Sequence, residues 1–281
     1  MPLTLPEPIT DRLGNSPLKL VVCQVRFEES PSVSESRVGW AVFGSLGGAS
    51  GAYPLFSEFR GQQVDITMAP GSPIAAQQTQ LAGWRFMSED RNWTVVLLPS
   101  SVSLETKAYS TWSDDFAIRL KAILEAVVEH IAPALQMRLG LRYIDEIRIP
   151  DTVPVNETWA DWVDGSLLGP APMGSRLGLL AAEWQGLVRF DAGPGRSIVL
   201  RYGPREGYAV DPGGDLKRPT ADSGPFFLLD IDSFWTPTGE IPEFDSGRIL
   251  AVVDELHAPV SQLFESLITE RLRSEVLRNE D

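Results

Sequence analysis

The stretch VCQVRF (Val22–Phe27) has a counterpart in the second half of the chain, IDEIRI (Ile144–Ile149). Both place apolar residues at alternating positions, and Arg26 aligns with Arg148. Such alternation is typical of a β-strand that buries one face. In the longer segment LKLVVCQVRF, the buried face is predicted to carry Val21, Cys23, Val25 and Phe27. The two stretches therefore predict equivalent strands, one in each half of the chain.

Four further pairs of segments match in the same order along the two halves. They are GWRF (83–86) with GLVRF (186–190), WTVVLLP (93–99) with SIVLRYGP (197–204), SVSLETKAYSTW (101–112) with PFFLLDIDSFW (225–235), and AVVEHIAP (126–133) with AVVDELHAP (251–259). A repeated order of this kind indicates internal duplication. We therefore predict an α+β fold made of two β-α-β-β-β-α units, 18–139 and 140–278, which form a curved, largely antiparallel sheet with two long kinked helices packed on one face.

The long helices are predicted from apolar residues at helical spacing over 114–139 and roughly 246–278. Pro133 and Pro259 lie within these ranges, and a proline inside a helix removes one backbone hydrogen bond and bends the helix. Segments 191–196 and 203–225 are rich in glycine and proline and are predicted to be loops. A hairpin turn is predicted at 88–90.

Composition and charge limit the classes of partner. Acidic residues outnumber basic ones by 38 to 24, for a formal net charge of −14, whereas binding to phosphate backbones or anionic lipid needs a basic surface. No window reaches the ~18 apolar residues of a membrane span. A single cysteine, Cys23, fits a reducing cytoplasm. We therefore expect a cytoplasmic protein without a nucleic-acid or membrane partner, and the acidic balance permits a basic protein partner.

The face of the sheet that the helices leave uncovered is the candidate binding surface. Its predicted residues are Gln24, Arg26, Lys107, Tyr109, Glu146, Arg148, Asp230 and Asp232. Two interpretations stay open, an ordinary solvated sheet face or a platform for a partner or ligand. In the second interpretation, Arg26 and Arg148 are the pair expected to hold an acidic or planar group.

Motifs for catalysis and cofactor binding were sought without success. The sequence has no G-x-S-x-G elbow and no phosphate-binding loop motif. Its two histidines, His130 and His257, lie on apolar helical patterns, where packing explains them. Asp230 and Asp232 form a D-x-D pair of the kind that binds magnesium, but this pattern is also common on exposed strands. We therefore predict no catalytic residue, no metal and no cofactor.

Four stretches together resemble a family of bacterial proteins of unknown function with a sporadic distribution. They are NSPLKLVVCQVRF (15–27), WTVVLLPSSVSLETKAYSTW (93–112), RLGLRYIDEIRIP (138–150) and AVVDELHAPVSQLFESLIT (251–269). The resemblance covers most of the chain. It implies the scattered occurrence of horizontally moved genes, such as those of phage-defence and toxin–antitoxin loci, and it implies no activity and no catalytic residue.

The leading functional prediction is a non-enzymatic protein-binding factor, an acidic antitoxin-like or accessory component of a bacterial defence module. The alternative is a small-ligand binder or enzyme that uses a cavity between the curved sheet and the kinked helices. A third interpretation is a homodimer formed through the sheet edge or the C-terminal helix.

Overall fold

A computed structural model describes residues 13–69, 72–150, 158–179, 181, 183–210 and 223–278. Within these residues nine strands are found: β1 (Leu18–Phe27), β2 (Leu55–Ala69), β3 (Ser72–Met87), β4 (Trp93–Leu98), β5 (Ser101–Thr106), β6 (Gln136–Ile147), β7 (Gly186–Asp191), β8 (Arg196–Gly207) and β9 (Gly224–Trp235). The α-helices are α1 (Ser36–Ser45), α2 (Ala117–His130), α3 (Ala171–Arg176), α4 (Ser246–Leu267) and the single turn α5 (Glu270–Leu272). The predicted α+β class is confirmed.

All strands join one open antiparallel sheet in the order β2-β3-β4-β5-β1-β6-β9-β8-β7. The first strand, β1, therefore lies in the middle, between β5 and β6. On one side of the β1–β6 pair the strands follow as β5, β4, β3, and on the other side as β9, β8, β7. The largely antiparallel sheet predicted from the alternating patterns is confirmed.

The core is formed by alternate residues of the central strands. On β1 these are the four predicted positions Val21, Cys23, Val25 and Phe27, all of them buried. Buried residues of α2 and α4 belong to the same apolar cluster as these strand residues. Side chains that alternate with the core positions lie on the opposite face of the sheet, called here the open face, because successive residues of a strand point to opposite sides.

Helix α2 is shorter than predicted. It ends at His130, and β6 begins at Gln136. The prediction of a helix over 114–139 is therefore wrong after residue 130, and Pro133 lies between α2 and β6. The residue before a proline is disfavoured in the helical region, and Ala132 has a φ of 46°. The apolar residues after the proline belong to the strand instead, and the predicted unit boundary at 139/140 falls within β6.

The C-terminal helix is interrupted where the sequence predicts one continuous element. Pro259 does lie inside α4, but this helix ends at Leu267. Ile268 has extended backbone angles and forms an isolated bridge with Val163. The next turn, α5, starts afresh at Thr269, whose hydroxyl accepts a hydrogen bond from the Leu272 N–H at 3.1 Å.

The predicted turns meet different outcomes. The hairpin turn at 88–90 joins β3 to β4, and residues 192–195 connect β7 to β8, as expected. Of the predicted loop 203–225, the first residues continue β8 and the last two belong to β9, while 211–222 lie outside the described residues. The strand β2 was not predicted; it pairs with β3 from Leu55 opposite Met87 to Ala69 opposite Ser72.

Candidate functional site

The predicted residues of β1 lie on the open face at the centre of the sheet. Gln24 is opposite Ser103 on one side and Gly140 on the other. Arg26, which is exposed, is opposite Arg138 of β6. The Arg26 side chain makes no hydrogen bond and no ion pair with the described residues. Two guanidinium groups therefore extend from directly opposite positions of neighbouring strands.

The two predicted aspartates of β9 are held by arginines. Arg142 donates two hydrogen bonds to the buried carboxylate of Asp230, at 2.7 and 2.8 Å, and Arg201 approaches the same carboxylate at 3.4 Å. Asp232 is 3.7 Å from Arg138, and burial raises its pKa above the ordinary value. The carboxylate oxygens of the D-x-D pair that a metal ion would bind thus contact guanidinium groups instead.

Glu146 and Arg148 form a second, more enclosed pair near the end of β6. The guanidinium of Arg148 donates to Glu146 at 2.9 Å and to the carbonyl oxygen of Gly207 at 2.6 Å. The other carboxylate oxygen of Glu146 accepts from the Ala209 N–H at 2.8 Å. Each of these charges is therefore already compensated, which favours a structural role for the pair.

Arg26 and Arg148 cannot hold one small group together, contrary to the expectation from their alignment. In the antiparallel β1–β6 pair, Arg26 lies opposite Arg138. Arg148 follows ten residues further along the chain, roughly 30 Å away at the ordinary rise per strand residue. The neighbour that Arg26 does have, Arg138, was missed because the helical pattern was extended across it.

The two remaining predicted residues lie beyond the end of β5. The N–H of Lys107 donates to the Asn92 carbonyl at 3.1 Å, next to the β3–β4 turn. The ring of Tyr109 packs instead on the core side, 6.0 Å from the ring of Phe116 and 5.9 Å from that of Tyr143. The alternation predicted for β5 stops at Thr106, so Tyr109 is not part of the open face.

An aromatic ring on the next strand lies beside the Arg138 guanidinium, diagonally across the sheet. Phe234 of β9 lies between two guanidinium groups, that of Arg138 at 4.8 Å and that of Arg189 at 5.7 Å from its ring centre. Arg138 lies flat across Gly140: a Cβ built there would be 2.7 Å from the Arg138 guanidinium. The glycine therefore gives the arginine room to reach Phe234.

Arginines outnumber carboxylates on the open face, although the chain as a whole carries −14 charges. The described open-face arginines within the strands are Arg26, Arg85, Arg138, Arg142, Arg189, Arg201 and Arg205, and the carboxylates are Glu105, Glu146, Asp191, Asp230 and Asp232. The basic residues that look scattered in the sequence are thus brought together by strand pairing.

Two open depressions flank the Arg138–Phe234 region. One, of about 510 Å³, is lined by Arg26, Phe27, Glu28, Glu29, Leu135, Met137, Arg138, Thr236 and Ile241. The other, of about 690 Å³, lies along the β7–β8 turn and shares Thr236 with the first. Neither of them is lined by residues of α2 or α4, so they are not the cavity between sheet and helices that the alternative functional prediction requires.

The two histidines have structural partners, and the cysteine is buried. His257 stacks on Trp112 at 4.4 Å, bonds to the Tyr143 hydroxyl at 2.8 Å, and burial lowers its pKa to about 4. The Nε2 atom of His130 lies 2.6 Å from the Ser45 hydroxyl, and the Glu129 carboxylate approaches the same nitrogen. In a catalytic triad the carboxylate bonds to the other ring nitrogen, Nδ1, and so orients the ring. Glu129 does not contact His130 in that way. Burial raises the pKa of Cys23 to about 12, which disfavours the thiolate.

No helix within the described part of the chain is long and apolar enough to cross a membrane. The fold and its surface define an α+β protein with an open antiparallel sheet, one face of which carries arginines among the described residues. Comparison of the chain with protein-family models and with curated proteins finds no match.

Proposed function

We propose that this protein is a non-enzymatic binding protein whose open sheet face binds an acidic segment of a partner protein at Arg26 and Arg138. The observation that carries the proposal is the register of β1 and β6, which sets these two arginines directly opposite each other. Like charges in such positions are destabilising. Asp232 lies 3.7 Å from Arg138, whereas the Arg26 side chain has no carboxylate partner among the described residues. A carboxylate placed between the two arginines would compensate the charge of Arg26 and gain charge-assisted hydrogen bonds.

The surroundings of the pair suit a peptide better than a single small ion. Met137 and Ile241 line the neighbouring depression and each remains 38% exposed, which is apolar surface that a peptide side chain could cover. Glu28 and Glu29 lie along the same depression. The acidic groups of a partner are therefore expected directly between the two arginines, away from these glutamates.

This proposal changes the kind of partner that net charge alone suggested. The acidic balance of the chain permits a basic partner, whereas the open face presents arginines to an acidic one. Because the rest of the molecule is acidic, attraction at the open face is local and is screened by salt within about 10 Å at ~0.1 M. A role as an antitoxin-like or accessory component of a defence module stays a prediction from the family resemblance.

We further infer that the two halves arose by internal duplication and that the helices α2 and α4 are equivalent and cover one face. The matched segments fall on β1 and β6, β3 and β7, β4 and β8, and β5 and β9, which stand in mirrored order about the sheet centre. The alignment of Val22 with Ile144 makes Val21 equivalent to Tyr143. These two equivalent residues lie opposite each other in the β1–β6 pair. Equivalent residues that face each other are what a pseudo-two-fold axis at this point requires.

Binding of a labelled peptide by the full-length protein tests the proposal. The probe is a fluorescent peptide rich in Asp and Glu, and the control peptide carries Asn and Gln at the same positions. We expect the acidic peptide to bind and the amide peptide not to bind. The double variant Arg26→Gln/Arg138→Gln should weaken binding by roughly tenfold or more, since two charge-assisted hydrogen bonds are lost.

The matched control is Arg37→Gln, because Arg37 is an arginine whose side chain is 78% exposed and which lies outside the open face. Equal affinity for both peptides, or equal affinity of the double variant and the wild-type protein, would contradict the proposal. Binding of a free dicarboxylate as tight as that of the peptide, and lost in the same double variant, would favour the small-ligand alternative.

A further inference from the structure

The strand β7 forms one edge of the sheet and is unusually exposed. It pairs with β8, and none of the other described strands covers its second side. Leu187, Val188 and Phe190 are 65%, 37% and 41% exposed. Natural sheets usually protect such edges with lysine, proline or a bulge, and the sequence GLVRFD of β7 contains neither lysine nor proline.

The two faces of β7 differ in chemistry. Arg189 points to the open face, where its guanidinium donates to the Ser197 hydroxyl at 3.0 Å and lies over Phe234. Asp191, two residues on, belongs to the same face. Leu187 also points to the open face, whereas Val188 and Phe190 point to the other, so this edge carries a basic, an acidic and an apolar residue on one side and apolar residues on the other.

This arrangement is complementary to itself in one antiparallel register. If Phe190 of one copy lies opposite Phe190 of a second copy, then Arg189 of each copy lies opposite Asp191 of the other, and Val188 lies opposite Ala192. Each of these charges then meets its opposite, the two Phe190 side chains meet each other, and Leu187 lies opposite Gly193 of the β7–β8 turn. The neighbouring register with Arg189 opposite Arg189 would instead bring like charges together.

We propose that β7 binds β7 of a second copy of this chain in that register, which extends the sheet continuously from one copy to the other around a two-fold axis. Unpaired backbone groups at the edge gain hydrogen-bonding partners, and the Phe190 and Val188 side chains lose exposure to water. The proposal is independent of the acidic partner, because Arg26 and Arg138 lie on strands in the middle of the sheet.

A charge-reversal series on the full chain, measured by sedimentation equilibrium, tests both the dimer and its register. The wild-type protein is expected to have the mass of two chains. Asp191→Arg should raise the dimer dissociation constant by about tenfold or more, because both opposite-charge pairs become like-charge pairs. The double variant Arg189→Asp/Asp191→Arg restores complementarity and should return the dissociation constant to near that of the wild type.

Glu89→Arg is the matched control, since Glu89 is exposed in the β3–β4 turn and undergoes the same change of charge. It should leave the mass unchanged. Asp191 also accepts a hydrogen bond from the Gly193 N–H, but that contact is lost in both the single and the double variant, so rescue reports on the charges alone. A monomeric wild-type protein, a dimer insensitive to Asp191→Arg, or a double variant that stays monomeric would each overturn the proposal.

Discussion

At the scale of single residues, Asp145 is a buried carboxyl whose pKa departs clearly from the ordinary value. It lies on the core side of β6, where the first half of the chain has Cys23 at the aligned position, and only 5% of it is exposed. Burial raises the pKa of this carboxyl to about 8, an effect that nearby Asp230 increases and Lys19 opposes. The native state therefore keeps a proton that the unfolded chain releases at about pH 4.

This difference predicts that stability falls as the pH rises from about 4 to about 8, by at most about 1.4 kcal/mol for each pH unit. Asp145→Asn keeps the shape of the protonated acid and removes the titration. We expect its melting temperature to exceed that of the wild type, by more at pH 8 than at pH 5. The control is Glu240→Gln at an exposed carboxyl, which should show no such dependence. An equal difference at both pH values would contradict the expectation.

The candidate site shows what sequence patterns supply and what they do not. The alternation in VCQVRF identified Arg26 as an open-face residue, because that requires only the local period. Its neighbours Arg138 and Phe234 were missed, since they depend on the register between strands distant in sequence. Arg138, Gly140 and Arg142 do alternate in the sequence, and this signal was available once the helix was ended at Pro133.

At the scale of elements, the strands with apolar alternation or apolar runs were predicted, and the edge strand β2 was not. The strands β1 and β5 alternate clearly, and β4 is a short apolar run. The strand β2, LFSEFRGQQVDITMA, contains a glycine and two glutamines, which have little preference for strands, and it is held by pairing with β3. Its existence therefore depends on a partner strand more than on its own composition.

Glycines at close approaches between elements lead to a prediction at this scale. A Cβ at Gly83 of β3 would lie 2.0 Å from the Leu97 carbonyl oxygen of β4, whereas a Cβ at Gly44 of α1 would meet nothing within 4 Å. We expect Gly83→Ala to destabilise the protein by about 1–3 kcal/mol, because backbone atoms must move.

Gly44→Ala is the matched control, and it should stabilise the protein by about 0.5–1 kcal/mol, because alanine is the better helix former. Urea denaturation of both variants measures the two changes. The same sign for both substitutions would show that the close approach of β3 and β4 does not constrain Gly83.

At the scale of the whole molecule, the net negative charge and the local positive charge of the open face predict opposite effects of salt on stability and on peptide binding. Fourteen excess negative charges repel one another in the folded state, while ion pairs at the surface, such as Lys121 with Glu125, contribute little. We therefore expect moderate NaCl to raise the melting temperature at pH 8 by screening this repulsion, although the same salt weakens binding of an acidic peptide.

Thermal unfolding in a NaCl series checks this expectation. Near pH 5, close to the calculated isoelectric point of about 4.6, the gain from NaCl should shrink because little net charge remains to be screened. A melting temperature that falls with NaCl at pH 8 would mean that favourable ion pairs outweigh the repulsion.

The central place of β1 determines the order in which the sheet becomes complete during synthesis. Every strand on one side, from β2 to β5 together with β1, is present once Thr106 has left the ribosome. The side of β1 that pairs with β6 has no partner strand until Gln136–Ile147 has been synthesised. During synthesis β1 is thus an edge strand for a time, although it is a central strand of the completed sheet.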